Sequence, residues 1–144
     1  MNNFYKFFDT VKEKLGIRKT SFTMIFQYLD KLKGPINIVE TGCLRIKDNF
    51  EGDGQSTLLF DKYTQFKGSG SKVYTVDIDS NATKICKSLV SDNVEINTGD
   101  SVKYLSELLP RLKKEGKKVS LFYLDSFDVD WQSSDRSAAH HLKE

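Results

Sequence analysis

Residues 36–42 read Ile-Asn-Ile-Val-Glu-Thr-Gly, a short apolar run that ends in an acid and a glycine. Residues 72–79 repeat the pattern as Lys-Val-Tyr-Thr-Val-Asp-Ile-Asp, and residues 119–125 end in Leu-Asp. Short apolar runs that alternate with helical patterns are typical of a parallel α/β sheet. Because such sheets bind ligands at the carboxyl ends of their strands, we expect these acids and glycines to line a nucleotide-like cofactor site.

Apolar residues at helical spacing separate these runs, and a further strand is indicated at residues 93–97. The resulting β-α-β-α-β-α-β order over residues 35–144 predicts an α/β fold with right-handed crossovers. Its parallel sheet has about four strands flanked by helices, fewer than a doubly wound domain normally carries. Either this fold is minimal, or the chain is a truncated piece of a longer protein. We expect truncation, with the C-terminal strands lacking.

Two amphipathic helices precede the sheet and form a predicted helical hairpin over residues 1–34. The first ends at Gly16 and the second at Gly34. Thr20 or Ser21 is the expected N-cap of the second helix. The apolar faces could lie on a membrane surface, but packing on the sheet as a cap is the favoured interpretation.

Composition and charge exclude several classes of partner. The 144 residues carry a formal net charge of +2, and the lysines are scattered, so neither nucleic acid nor a membrane is an expected partner. The N-terminus lacks the apolar core of a secretory signal. Cys43 and Cys86 have no metal-type spacing and are expected to be reduced thiols of a cytoplasmic protein. The oligomeric state stays unknown.

Asp77 ends the second apolar run, and Asp79 follows two residues later. A carboxylate here offers two oxygens to the vicinal hydroxyls of a ribose, so Asp77 is the expected ribose ligand. The alternative role of such an acid is to cap a helix. We expect one acid to cap the next helix and the other to bind ligand, with Ser80 or Asn81 as further capping residues.

Glu40, Thr41 and Gly42 form the turn after the first strand, where a glycine lets the backbone approach a ligand. The sequence has no phosphate-binding glycine motif, and Glu40 would repel a pyrophosphate. Glu40 could orient the backbone of this turn or meet a cationic group, so an acid here suits a cofactor such as S-adenosylmethionine. After the third strand, Asp100 or Ser101 could accept a hydrogen bond from an adenine amine, cap the next helix, or do both.

Residues 124–131 form the most acidic and aromatic segment of the chain. Asp125 and Asp128 are candidates to hold a divalent metal, and Asp125 is also a candidate catalytic base. The alternative is a loop of Asx turns. Residues 43–54 form a second unusual segment, a long polar loop with two glycines, which indicates a functional loop.

Four of these segments resemble the motifs of class I S-adenosylmethionine-dependent methyltransferases. They are Val39-Glu40-Thr41-Gly42, Val76-Asp77-Ile78-Asp79, Gly99-Asp100-Ser101 and Leu124-Asp125-Ser126. The resemblance implies a Rossmann-like domain in which Glu40, Thr41, Gly42, Asp77, Ile78, Asp100 and Ser101 bind the cofactor. It further implies methyl transfer to a hydroxyl of a sugar or another small molecule, with Asp125 beside the methyl group.

The chain departs from this family in two ways. Gly52 and Gly54 are displaced from the first turn by an insert, and we expect the family's strands after the fourth to be lacking. A non-catalytic or truncated α/β binding module is therefore an alternative. A nicotinamide-dependent oxidoreductase is less favoured, because the Gly-x-Gly-x-x-Gly motif is absent.

Overall fold

The computed structural model describes residues 3–53, 55–125 and 142–144. Its sheet contains strands β1 (Asn37–Thr41), β2 (Lys72–Asp77), β3 (Val94–Thr98) and β4 (Leu121–Leu124). All neighbouring strands are parallel, and their order across the sheet is β3-β2-β1-β4. The predicted α/β, Rossmann-like class is confirmed, and each predicted strand lies within two residues of its observed position.

The helices are α1 (Asn3–Val11), α2 (Arg18–Asp30), α3 (Ser56–Lys67), α4 (Ser80–Leu89) and α5 (Ser101–Lys114), with a 3-10 turn at Lys12–Leu15 after α1. The predicted cap at Thr20 or Ser21 is wrong, because α2 begins at Arg18. Ile17 already has helical backbone angles, and the N–H of Lys19 donates to the carbonyl of Gly16. The chain therefore enters α2 directly from the turn, without a side-chain cap.

An aromatic core joins the N-terminal helices to the sheet. Six rings from α1, α2 and α3 pack together in it: Phe4, Phe8, Phe22, Phe26, Phe60 and Tyr63. Tyr123 of β4 contacts two of these rings. These contacts confirm the predicted packing of the N-terminal hairpin on the sheet. Burial of this apolar area is the main force that holds the hairpin there.

The opposite face of the sheet packs against α5. Leu105, Leu108 and Leu112 follow helical spacing and are buried with Val39 of β1 and Val76 of β2. Successive residues of a strand point to opposite faces, so β1 contributes to both cores. Because both faces are covered, all five residues of β1 and all residues of β2 except Lys72 are buried.

The order of the strands places a crevice beside β1. The chain moves from β1 to β2 and β3 on one side, and β4 then pairs with the other side of β1. Such a topological switch point opens a crevice at the carboxyl ends of the two strands. None of the described helices combines the length and apolar character that a membrane crossing requires.

Candidate functional site

Backbone hydrogen bonds continue past the strand ends and align four segments along the carboxyl edge of the sheet. Three N–H groups that follow a strand donate to the end of a neighbouring strand: Gly42 to Val76 O at 2.8 Å, Gly99 to Asp77 O at 2.9 Å, and Asp125 to Thr41 O at 2.9 Å. Neighbouring strands lie about 4.8 Å apart, so the row spans roughly 14 Å. The structure thus brings the four predicted motif segments together on one edge.

Asp77 lies in the middle of this row and is held in one orientation. Its side chain is only 7% exposed. One carboxylate oxygen accepts the N–H of Cys43 at 3.1 Å, and the other accepts the N–H of Asp79 at 2.9 Å. Arg45 Nε lies 3.8 Å from the first oxygen. Asp77 therefore fixes the turn after β1 to the end of β2, while each oxygen keeps a lone pair for a further donor.

Asp79 caps α4, and its carboxylate accepts the N–H of Asn81 at 2.8 Å. The prediction that one of the two acids caps α4 is therefore confirmed, and that acid is Asp79. The predicted caps Ser80 and Asn81 are wrong. Between the two acids, the side chain of Ile78 is 78% exposed, an unusual position for a large apolar residue. It offers apolar surface beside Asp77.

Glu40 is fully buried and links three elements. Its carboxylate accepts hydrogen bonds from Ser56 and Thr57 at the start of α3 and from Thr75 of β2. The bonds from Thr57 and Thr75 are both 2.7 Å long. Glu40 and Thr75 are partners in the β1–β2 register, so the pairing of the strands sets this contact.

Burial raises the pKa of Glu40 to about 7, because desolvation disfavours the charged form more than the hydroxyls of Ser56, Thr57 and Thr75 favour it. The side chain has no exposed surface. A direct contact between Glu40 and a cationic cofactor group, as expected from the sequence, is therefore not available in this structure. Glu40 instead supports the start of α3, which borders the turn at Gly42.

The long loop after β1 is ordered by hydrogen bonds to its own ends. Leu44 N–H donates to Thr57 Oγ1 at 3.0 Å, Arg45 N–H donates to Asp53 at 3.1 Å, and the Gln55 amide donates to Ile46 O at 2.6 Å. These bonds explain how a polar loop of this length keeps one conformation. Gly54 lies outside the described residues.

A cavity of about 70 Å³ lies between this loop, the start of α3 and the end of β4. Polar and charged residues line most of it: Arg18, Arg45, Asp53, Ser56 and Asp125, together with Gly42, Cys43, Leu44 and Gly52. Arg18 comes from α2 and donates from Nη2 to Gly52 O at 2.9 Å. Its buried Nη1 has no hydrogen-bond partner among the described residues.

Both charge signs therefore meet at this cavity, with two guanidinium groups near two carboxylates. Tyr123 lies close by, and its pKa is raised to about 12 by burial first and then by Asp125 and Glu40, while Arg18 lowers it. A site with this charge pattern suits a zwitterionic group, since each charge of the ligand can face its opposite.

Asp100 caps α5, as predicted, and accepts the N–H of Lys103 at 2.8 Å. Ser101 is buried at the first turn of the helix, and its hydroxyl donates to the carboxylate of Glu144. Thr41 donates to the same carboxylate at 3.2 Å. Two of the predicted cofactor ligands thus hold an acidic group at the carboxyl edge.

Asp125 lies at the end of β4, where its N–H also lies 3.2 Å from Thr41 Oγ1. Asp125 also borders the polar cavity. Asp128, the other predicted metal ligand, lies outside the described residues. Among residues 3–53, 55–125 and 142–144, no group of three or more His, Cys, Asp or Glu side chains could hold a metal ion. The predicted metal site stays a prediction.

Three site residues were not anticipated from the sequence: Arg18, Arg45 and Thr75. Thr75 could have been recognised as a candidate, since it is a polar residue within a predicted buried strand. The structure places it opposite Glu40. No feature of the sequence points to Arg18, because only tertiary packing brings α2 to the long loop after β1. No family model matches this chain, and no curated protein or solved structure shows significant similarity to it.

Proposed function

We propose that this domain binds S-adenosylmethionine and transfers its methyl group to a hydroxyl of a sugar or another small molecule. The observation that carries the proposal is the row of strand-end hydrogen bonds, which aligns Gly42, Asp77, Gly99 and Asp125 along one edge. An extended nucleoside joined to an amino-acid chain can lie along such a row. The topological switch point beside β1 supports the same placement.

Each part of the cofactor has a matching partner in this proposal. Asp77 accepts the ribose hydroxyls, and the exposed Ile78 contacts the adenine, whose amine meets Asp100 or Ser101. The mixed charges of the polar cavity receive the amino and carboxylate groups of the methionine end beside Thr41 and Gly42. Glu40 acts indirectly, through its hydrogen bonds to the start of α3.

Asp125 has the catalytic role in the proposal, as a base or as a ligand of a divalent metal that orients the acceptor hydroxyl. Alignment of the hydroxyl with the methyl group then supplies most of the rate enhancement. A small-molecule substrate rather than nucleic acid agrees with the net charge of +2. A cytoplasmic location agrees with the two free thiols.

Calorimetric titration with S-adenosylhomocysteine tests the proposal. We expect micromolar binding to the unmodified chain and weakening by roughly tenfold or more in Asp77→Asn, because a charge-assisted hydrogen bond is lost. Asp92→Asn is the matched control, since Asp92 is an exposed acid before β3 at the opposite edge of the sheet. Circular dichroism verifies that both variants fold.

Titration with NAD separates the alternatives. Binding of NAD in place of S-adenosylhomocysteine would support the oxidoreductase hypothesis, and binding of neither would support a non-catalytic module. Equal affinity of Asp77→Asn and the unmodified chain for S-adenosylhomocysteine would remove Asp77 from the site.

A further inference from the structure

A second and larger cavity lies at the opposite edge of the sheet, at the amino ends of β1 and β4. Its volume is about 490 Å³, within the range of small-molecule sites. Its wall is formed by the end of α2, the segment before β1 and the segment before β4, with Tyr28, Leu32 and Val119 as apolar members. The five residues of β1 separate it by roughly 16 Å from the carboxyl edge.

Asn37 lines this cavity and carries an unsatisfied polar atom. The residue is only 4% exposed. Its Nδ2 donates to the carbonyl of Lys118 at 3.1 Å, which fixes the orientation of the amide. Its Oδ1 is buried and accepts no hydrogen bond from the described residues. An unpaired buried acceptor is costly, but this oxygen has almost no accessible surface, so a ligand in the cavity does not reach it in this structure.

The rim of the cavity is cationic. Lys33, Lys117 and Lys118 all line it. Lys117 pairs with Glu115 at 2.9 Å, whereas Lys33 and Lys118 are exposed and make no ion pair with any described residue. Two ammonium groups are thus left beside an apolar wall, and an anion can approach them without displacing a carboxylate.

We propose that this cavity is a binding site for a small amphipathic anion: an apolar ring or chain that carries a phosphate or carboxylate. The apolar part packs against Tyr28, Leu32 and Val119, and the anionic group lies between Lys33 and Lys118. The site lies roughly 16 Å from the carboxyl edge, so its ligand is separate from the cofactor and the methyl acceptor of the proposed function.

The probe for this site is 1-naphthyl phosphate, titrated by calorimetry, with 1-naphthol and inorganic phosphate titrated separately. We expect saturable one-to-one binding of 1-naphthyl phosphate that is tighter than that of either part alone. The double variant Lys33→Gln/Lys118→Gln is expected to weaken it by about tenfold, through loss of two charged donors. Lys84→Gln/Lys87→Gln on α4 is the control with the same net charge.

Backbone NMR shifts locate the bound probe, and they should cluster at Asn37 and residues 117–120. The proposal is overturned by absence of saturable binding, by equal weakening in the two double variants, or by shifts that cluster elsewhere. Equal weakening would indicate a general response to net charge. The titration of S-adenosylhomocysteine is unaffected by any of these outcomes, so the two sites are judged separately.

Discussion

The buried carboxylate of Glu40 predicts an unusual dependence of stability on pH. The pKa of Glu40 is about 7 in the folded protein, against 4.5 for an exposed glutamate. A raised pKa means that the folded state binds the proton more tightly than the unfolded state does. The contribution of Glu40 to stability is therefore fully present below about pH 4.5 and is lost as the pH rises to about 7.

The magnitude follows from the shift itself. One pKa unit is equivalent to about 1.4 kcal/mol, so a rise from 4.5 to about 7 corresponds to about 3 kcal/mol of unfolding free energy. Glu40→Gln keeps the size of the side chain and removes its charge. The hydroxyls of Ser56, Thr57 and Thr75 can rotate to bond with an amide, so we expect this variant to fold.

Urea unfolding followed by circular dichroism, repeated between pH 4.5 and pH 8, measures the effect. The difference in unfolding free energy between Glu40→Gln and the unmodified chain should shift by about 3 kcal/mol in favour of the variant across this range. Glu107→Gln, at an exposed position on α5, should show no such shift. Parallel pH profiles for the unmodified chain and Glu40→Gln would refute the reasoning.

Two further predictions concern the core. Phe26→Ala should reduce the free energy of unfolding by about 4 kcal/mol in urea titrations, because the buried ring packs against rings of α1 and α3, whereas Met24→Ala at an exposed position should change it little. Neither cysteine should react with Ellman's reagent in the folded protein, since both are buried and the pKa of Cys43 is raised by its hydrogen bond with Cys86 and by burial. Two thiols should react in urea, and rapid reaction of the native chain would contradict the packing around α4.

The sheet was predictable because its signals are local. Three of the strands are short, largely apolar runs followed by an acid or a glycine, and the remaining one, β3, alternates apolar Val94 and Ile96 with polar residues. Helical spacing fills the intervals. The parallel pairing then follows from the connections, since a strand-helix-strand unit joins parallel strands. The predicted start of α2 was wrong because Ile17 already has helical backbone angles, which continue from the preceding turn. Helix propensities do not distinguish such a start from one with a side-chain cap.

The candidate site was only partly predictable. The alignment of Gly42, Asp77, Gly99 and Asp125 follows from strand ends and could be inferred from the sequence. Of the two roles expected for Glu40, contact with a cationic group requires the side chain to reach the ligand, and its burial prevents this in the present structure. The approach of Arg18 to the loop depends on packing between distant elements, for which a single sequence carries no periodic signal.

The most direct test of the proposed function is the location of bound S-adenosylhomocysteine by backbone NMR. Our account predicts saturable shifts along the carboxyl edge, at Gly42, Asp79, Gly99 and Asp125, with no shifts at the amino ends of the strands. Binding that leaves these amides unchanged, or no binding by a folded chain, would contradict it.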